Sequence, residues 1–374
     1  VTISEQLAVI GGAADTLVAS LATRIRELDD QAALDDATIV HLRAALDTLG
    51  QSYLDYVAAA QTRILLVAGA YRPDASTTGV LPGSTLTTVT NHTPQAGHTY
   101  RNLDVRCSVV PGPLVGNVTY VNCIFRGPAV APTATSSLYT MFRPHKRGFL
   151  FVDCMFLPQW PSPRWVGLQG YGFRLLRCDL SGLVDQVEVF NANTGDYSPG
   201  VALRDGPSDV SVEQCYFHDS AYWPPGVAGE ASRDGSHSDD IQWEGCTGLV
   251  VRGNYFTGQL GPAYQPNFRG GTTTNTALMI KPDVGRIGGA VIEQNWLGGG
   301  AVTINVADAP AKNRVIDNLG SLSRNRFYRD QFYAPTAIKV QVDPAMHAAI
   351  GGTFDQNVYD DNGAAVPTTR AALK

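Results

Sequence analysis

The chain has 374 residues, enough for one large or two ordinary domains, and 44% are apolar, so a sizeable core is available and wholesale disorder is excluded. Its formal net charge is −6, from 34 acidic and 28 basic residues, and no Lys/Arg run is present to neutralise a phosphate backbone, which argues against nucleic acid. Nothing reaches the about 18 consecutive apolar residues of a bilayer-spanning helix, and 38 Gly, 22 Pro and only 17% charged residues suit many short strands joined by turns.

The first segment, residues 1–67, reads as helical. Residues 3 to 67 contain no Pro and three Gly. Leu42, Leu46, Leu49, Tyr53, Tyr56 and Ala60 step by 4, 3, 4, 3 and 4, a heptad seam. An earlier seam holds Leu7, Ala14, Val18, Leu21, Ile25 and Leu28. A polar break from Asp29 to Asp36 separates them, with Asp36 or Thr38 as N-cap. Such helices bury one stripe and need a partner. Two roles stay open, a cap on the end of the following domain or an assembly stalk. The start, Val1-Thr2-Ile3-Ser4-Glu5, lacks the basic region of a signal peptide. Residues 68–98, rich in Thr, Gly, Pro and Ser, read as a linker that begins the next domain.

Residues 99–374 repeat one pattern: alternating apolar positions, then Cys or Asn, any residue, then an aromatic or Leu. It ends in Cys123-Ile124-Phe125, Cys154-Met155-Phe156, Cys178-Asp179-Leu180, Cys215-Tyr216-Phe217, Asn254-Tyr255-Phe256 and Asn295-Trp296-Leu297. Weaker copies end in Asn325-Arg326-Phe327 and Asn357-Val358-Tyr359. The Cys/Asn positions lie 31, 24, 37, 39, 41, 30 and 32 residues apart. Coils of three short strands with variable loops give spacings of this size. The reading is all-β, a right-handed parallel β-helix. Its Phe/Leu column is a buried stack, and its Cys/Asn column lies at an inward turn where amides bond to each other. Cys123, Cys154, Cys178 and Cys215 then fill ladder positions as free thiols, without zinc spacing.

Sites follow from the strand around residue 240. Alternation turns Ile241 and Trp243 inward and Asp240, Gln242 and Glu244 outward. Lys281 comes beside Glu244 on the next coil, with Asp283 nearby. Asp205, His218, Asp219 and Arg233 lie on the preceding side. Asp239, Asp240, Glu244 and Lys281 are the candidate catalytic residues. Two carboxylates can act as acid and base in glycosidic hydrolysis. A carboxylate with Lys or Arg can instead support β-elimination on a uronic acid. A turn cap at Asp239-Asp240 and a solvated Glu244–Lys281 pair are the structural alternatives. His237, Gln242, Asp283 and Arg233 join Trp160, Trp165, Tyr222 and Trp223, aromatics of Pro-rich loops, as candidate glycan contacts; the aromatics equally suit a subunit contact. Asn91-His-Thr and Asn117-Val-Thr match the glycosylation sequon. No metal or cofactor motif is present.

The repeats, over roughly residues 99–360, resemble the pectate-lyase-like β-helix superfamily. Asp234-Gly-Ser-His237-Ser-Asp-Asp240-Ile-Gln242 and Glu293-Gln-Asn295-Trp-Leu-Gly-Gly-Gly300 look like coils of phage tailspikes and of secreted actinobacterial products. Polygalacturonase-like motifs have counterparts only in Asp239-Asp240 and, in part, Ile280-Lys281; the Gly-His-Gly is absent. With a helical segment ahead, the resemblance implies a phage tailspike or minor tail protein. Such a protein is a homotrimer in the virion that binds, and in some cases cuts, a host envelope polysaccharide and contacts other tail proteins through its N-terminal helices. The alternatives are a secreted polysaccharide lyase or glycoside hydrolase, and a structural tail protein without a ligand.

Overall fold

In a computed structural model of the chain, the described residues are 72–372 apart from 113, 129–138, 145, 161, 164, 191–206, 227–229, 231–234, 258–273, 309–315, 317, 330–336 and 343–350. The expected helices of residues 1–67 lie outside them, as do Asp205 and Arg233. Residues 72–374 form one compact unit.

Within that unit the chain cycles through three parallel sheets. A strand such as Val118–Val121 enters the first sheet, Ile124–Phe125 the second and Tyr139–Phe142 the third. The next coil repeats this with Phe149–Val152, Met155–Phe156 and Trp165–Gly170. The sheets contain nine, ten and eight strands, and every sheet pairing is parallel between successive turns of the chain. The protein is therefore all-β with stacked parallel sheets, an arrangement consistent with a parallel β-helix. Numbering coils from the one holding Leu103–Val105, Phe125 belongs to coil 2 and Tyr359 to coil 9.

The predicted repeat is the corner between the first and second sheets. Strand alternation turns one column of side chains inward. Along the second sheet this column is Val105, Phe125, Phe156, Leu180, Phe217, Phe256, Leu297, Phe327 and Tyr359, all buried. Phe125 stacks on Phe156 at 4.9 Å and Phe217 on Phe256 at 4.5 Å. The ladder residue comes just before each strand of this sheet. Its predecessor is left-handed every time, at Asn122, Asp153, Arg177, Gln214, Gly253, Gln294, Arg324 and Gln356, with φ from 52° to 65°. That single left-handed residue turns the chain from one sheet to the next. The cost of the conformation for a residue with a Cβ, on the order of 1 kcal/mol, is offset by the buried stack on either side.

As expected, the Asn column is a hydrogen-bonded ladder. Asn254 Nδ2 donates to Asn295 Oδ1 (3.0 Å), Asn295 Nδ2 to Asn325 Oδ1 (2.9 Å) and Asn325 Nδ2 to Asn357 Oδ1 (3.0 Å). All six cysteines are free thiols, and the four of the ladder are buried.

On the outer face of the first sheet an open groove of about 480 Å³ is lined by Arg174, Asp209, Ser211, Glu213, Val250 and Arg252. Arg174 pairs with Glu213 (3.4 Å) and Arg252 with Glu293 (2.8 Å), so charges of opposite sign tie neighbouring coils.

Candidate functional site

The third sheet brings the strands Asp185–Val189, Ser238–Trp243 and Thr274–Ile280 side by side. Val187, Ile241 and Leu278 are in register, as are Val189, Trp243 and Ile280, and all six are buried in the core. Ile241 and Trp243 thus point inward as the alternation predicts.

Asp240 does not follow the sequence reading. Alternation predicts it on an outward row with Gln242 and Glu244, yet it is fully buried; Asp239, 2% exposed, shares the inward parity of Ile241 and Trp243. The cause of the burial of Asp240 is a covering segment. Residues 220–223 lie along 236–240: Ser220 Oγ donates to Asp240 Oδ1, Ser238 Oγ to the Ala221 carbonyl, and the Trp223 amide to Ser236 Oγ (2.8 Å).

Asp239 Oδ1 accepts from Thr276 Oγ1 (2.5 Å) and Asn275 Nδ2 (3.0 Å), while its own amide donates to Asp185 Oδ1 (3.1 Å) on the preceding coil. Asp240 Oδ1 accepts from Gln186 Nε2 (2.8 Å) as well as Ser220. Asp240 Oδ2 and Gln186 Oε1 are buried without a hydrogen-bond partner. Two residues beyond Gln186, Glu188 accepts from Gln169 Nε2. Four carboxyl groups from adjacent coils are therefore buried on this sheet.

Burial disfavours their charged forms. Desolvation lifts Asp240 to about 7, with Asp239's charge adding to it and the Ser220 and Gln186 hydrogen bonds opposing it. Desolvation likewise lifts Asp239 to about 6 against the pull of Thr276 and Asn275. Asp185 is pushed well up by burial and by the charges of Glu188 and Asp239, and Glu188 is raised by burial. Close by, His218 donates from Nδ1 to Asp219 Oδ2 (2.8 Å) and from Nε2 to Asp179 Oδ1 (3.0 Å). Burial works against its charge, but the two carboxylates outweigh burial and hold it at about 9.

The other predicted residues fall into separate groups. His237 is exposed, and its charge acts on Asp239. Half-buried Trp223 and buried Tyr222 belong to the segment that covers Asp240. Gln242 Nε2 donates to Glu244 Oε1 (3.4 Å), and both are half-buried. Lys281 follows Ile280, the register partner of Trp243, so it comes beside Glu244 as expected; its ion pair is with Asp283 (3.1 Å). Trp160 is 48% exposed but lies two coils away from Asp240. Trp165, expected among the loop aromatics, is instead the fully buried first residue of a strand. Its ring lies against Gly127, where a Cβ would come within 2.5 Å of it, and its Nε1 donates to the Trp160 carbonyl (2.7 Å).

Sequence reasoning does not single out Asp185, Gln186, Glu188, Ser220, Asn275 or Thr276. The run Asp185-Gln-Val-Glu-Val189 alternates polar and apolar and is open to the same reading as Asp240–Glu244. Ser220 and Asn275 give no signal, because loop closure and the register shift bring them in. Among the described residues no group of three His, Cys, Asp or Glu is arranged to hold a metal ion.

No family model, curated protein or solved structure matches the chain.

Proposed function

We propose that this chain is a polysaccharide-recognising, right-handed parallel β-helix of bacteriophage tail type, a homotrimer that attaches to a host envelope glycan. The observation that carries the reading is the strip at the carboxyl end of the third sheet, where half-buried Gln242 and Glu244 lie beside half-buried Lys281 and Asp283 of the next coil. Coils are about 4.8 Å apart, so an extended glycan laid across them meets donors and acceptors at regular intervals. Parallel crossovers are almost always right-handed, which supports the hand. The heptad seams in residues 1–67 and the likeness of Asp234–Gln242 to tailspike coils support the tail assignment.

A second reading, depolymerase, is favoured by Asp240. A buried carboxyl that keeps its proton near pH 7 suits a general acid, and neighbouring Asp239, at about 6, is the carboxylate for the base role. Lyase chemistry with Lys281 as the cation is the alternative route.

The test pairs light scattering of the full chain with retention on a panel of bacterial envelope polysaccharides, followed by assay of reducing ends and of unsaturated sugar absorbance. A trimer that retains one polysaccharide, and loses it on Gln242→Ala with Lys281→Ala, supports recognition. Chain scission abolished by Asp240→Asn adds the depolymerase reading. A monomer that retains no polysaccharide overturns both.

A further inference from the structure

The chain does not enter its own solenoid at the first coil. The Arg72 guanidinium carbon lies 4.3 Å from the ring centroid of Tyr255, on coil 6, and a guanidinium nitrogen donates to the Tyr328 hydroxyl, just after the second-sheet strand of coil 8. Asp74 closes a turn by accepting the amides of Thr77 and Thr78 at its carbonyl (3.0 Å each) and that of Ser76 at Oδ1 (2.8 Å). Gly79, with φ 71°, donates to the Arg177 carbonyl (2.9 Å) on coil 4. A Cβ there would lie 2.8 Å from Met155 Cγ and 2.9 Å from Asp179 Cβ, so the strap is pressed onto coils 3 and 4. The Leu81 amide then donates to Asn122 Oδ1 (2.7 Å), whose Nδ2 donates to Ser84 Oγ (2.8 Å) on coil 2. Only then does Thr87–Val89 pair with Leu103–Val105. Residues 72 to 84 therefore run against the direction of winding, and each anchor lies on an earlier coil than the last.

We propose that residues 72–84 are a lateral tether that carries force. Pull applied to the chain before Arg72 reaches the solenoid at its flank, in coils 6 to 8. It is resisted in shear by Arg72, Gly79 and Leu81 together, instead of peeling the first coil away strand by strand. This arrangement suits any protein anchored through its N-terminal part, and it stands independently of the glycan reading. The chemistry of the anchors fits a shear load. A cation on an aromatic face, a charge-assisted hydrogen bond and a glycine wedge are spread along the axis, so they are loaded in parallel.

Single-molecule pulling on the full chain tests it, between an N-terminal tag and a handle at exposed Asn91. Arg72, on coil 6, and the strand Thr87–Val89 that precedes Asn91 are six strand steps apart on the second sheet, about 29 Å. The 19 steps from 72 to 91 extend to about 65 Å. The expected trace shows one release of about 36 Å at a defined force. Arg72→Ala is expected to shorten the lifetime of the tethered state at constant force by about tenfold, and Gly79→Ala to shorten it as well. Smooth extension with no such release overturns the proposal. So does a release whose lifetime is the same in wild type and in both variants.

Discussion

Two rows of buried polar groups cross the coils, and they are built on opposite terms. At the corner between the first and second sheets every ladder amide is satisfied. Asn295 Oδ1 accepts the Asn254 amide (2.9 Å) and Nδ2 (3.0 Å), and its own Nδ2 donates to the Val251 carbonyl (3.0 Å) and to Asn325 Oδ1 (2.9 Å). On the third sheet Asp240 and Gln186 keep buried acceptors without partners, and four carboxyl groups are gathered with their charges disfavoured. A fully paired network specifies a structure; a partly paired one stores tension. The corner therefore holds the coils in register, while the third sheet tolerates an arrangement that a purely structural role would not call for.

The largest effect is expected from breaking the satisfied row. Asn295→Ala strands the Val251 carbonyl and the Asn254 amide inside the core. Unmade buried hydrogen bonds cost about 1–3 kcal/mol each, so the variant is expected to lose on the order of 3–5 kcal/mol in urea denaturation. A loss below about 1 kcal/mol would mean that the ladder is not what holds the corner.

The opposite change is expected at the tense row. Asp240→Asn keeps an acceptor for Gln186 and Ser220, removes the charge and supplies donors where Asp240 Oδ2 has no partner. At pH 8 the wild-type carboxyl is ionised at the expense of its burial, so Asp240→Asn is expected to be more stable by on the order of 2 kcal/mol, while any glycan cleavage disappears. A variant less stable than wild type at pH 8 would place Asp240 among the structural groups.

The pH profile sharpens the same contrast. Asp239 and Asp240 have folded pKa values of about 6 and about 7, above their ordinary range. The folded chain therefore holds more protons than the unfolded one, and the stability they contribute is full below about pH 4 and lost as pH rises through 6 to 7. His218, raised to about 9, contributes stability that is full below about pH 6.5 and lost as pH rises through 9. Melting temperature is thus expected to fall in two windows, from about pH 4 to 7 and from about pH 6.5 to 9. Asp240→Asn flattens the first and His218→Gln the second. An unchanged first window in Asp240→Asn would assign it to Asp185, Glu188 and Asp239 alone.

The corner was legible because its demands recur in every coil. A buried Phe, Leu or Tyr two residues after a Cys or Asn, eight times over, leaves a trace that chance does not imitate. What was not legible there is the left-handed residue. Asn122 and Asp153 are ordinary occupants of that conformation, but Arg177, Gln214, Gln294, Arg324 and Gln356 carry no such signal, and only the turn imposes it. The third sheet was half legible. Ile241 and Trp243 obey alternation, because a core column cannot shift without flipping every side chain. Asp239 obeys it as well, while Asp240 keeps the outward parity and is buried by one covering segment, a feature of tertiary contact. Trp165 shows the same limit: its Pro neighbours point to a loop, whereas its ring fills the space that Gly127 leaves.

The smallest effect is the most telling about the corner. In coils 2 to 4 the thiols of Cys123, Cys154 and Cys178 reach the carbonyls of Tyr100 (3.9 Å), Tyr120 (3.6 Å) and Phe151 (3.5 Å). Beyond Cys123 these carbonyls belong to the residue three before the previous ladder position, the same carbonyls that Asn254, Asn295, Asn325 and Asn357 reach at 2.8–3.0 Å. The sulfur also accepts as Oδ1 does, since the Cys178 amide points at Cys215 Sγ (3.4 Å). Cysteine is thus a weak stand-in for asparagine at one and the same corner. Cys215, whose amide already donates to Asn254 Oδ1 (2.8 Å), stands where the two chemistries meet. Cys215→Asn is expected to lengthen the amide ladder by one coil, its Nδ2 reaching the Leu175 carbonyl and Asn254 Oδ1. The change in stability is expected to lie within about 1 kcal/mol of zero, because two new hydrogen bonds offset the tighter fit. Cys215→Leu, which offers neither donor nor acceptor, is expected to lose about 1–3 kcal/mol. If the two substitutions cost the same, volume alone governs the corner and its hydrogen bonds are incidental.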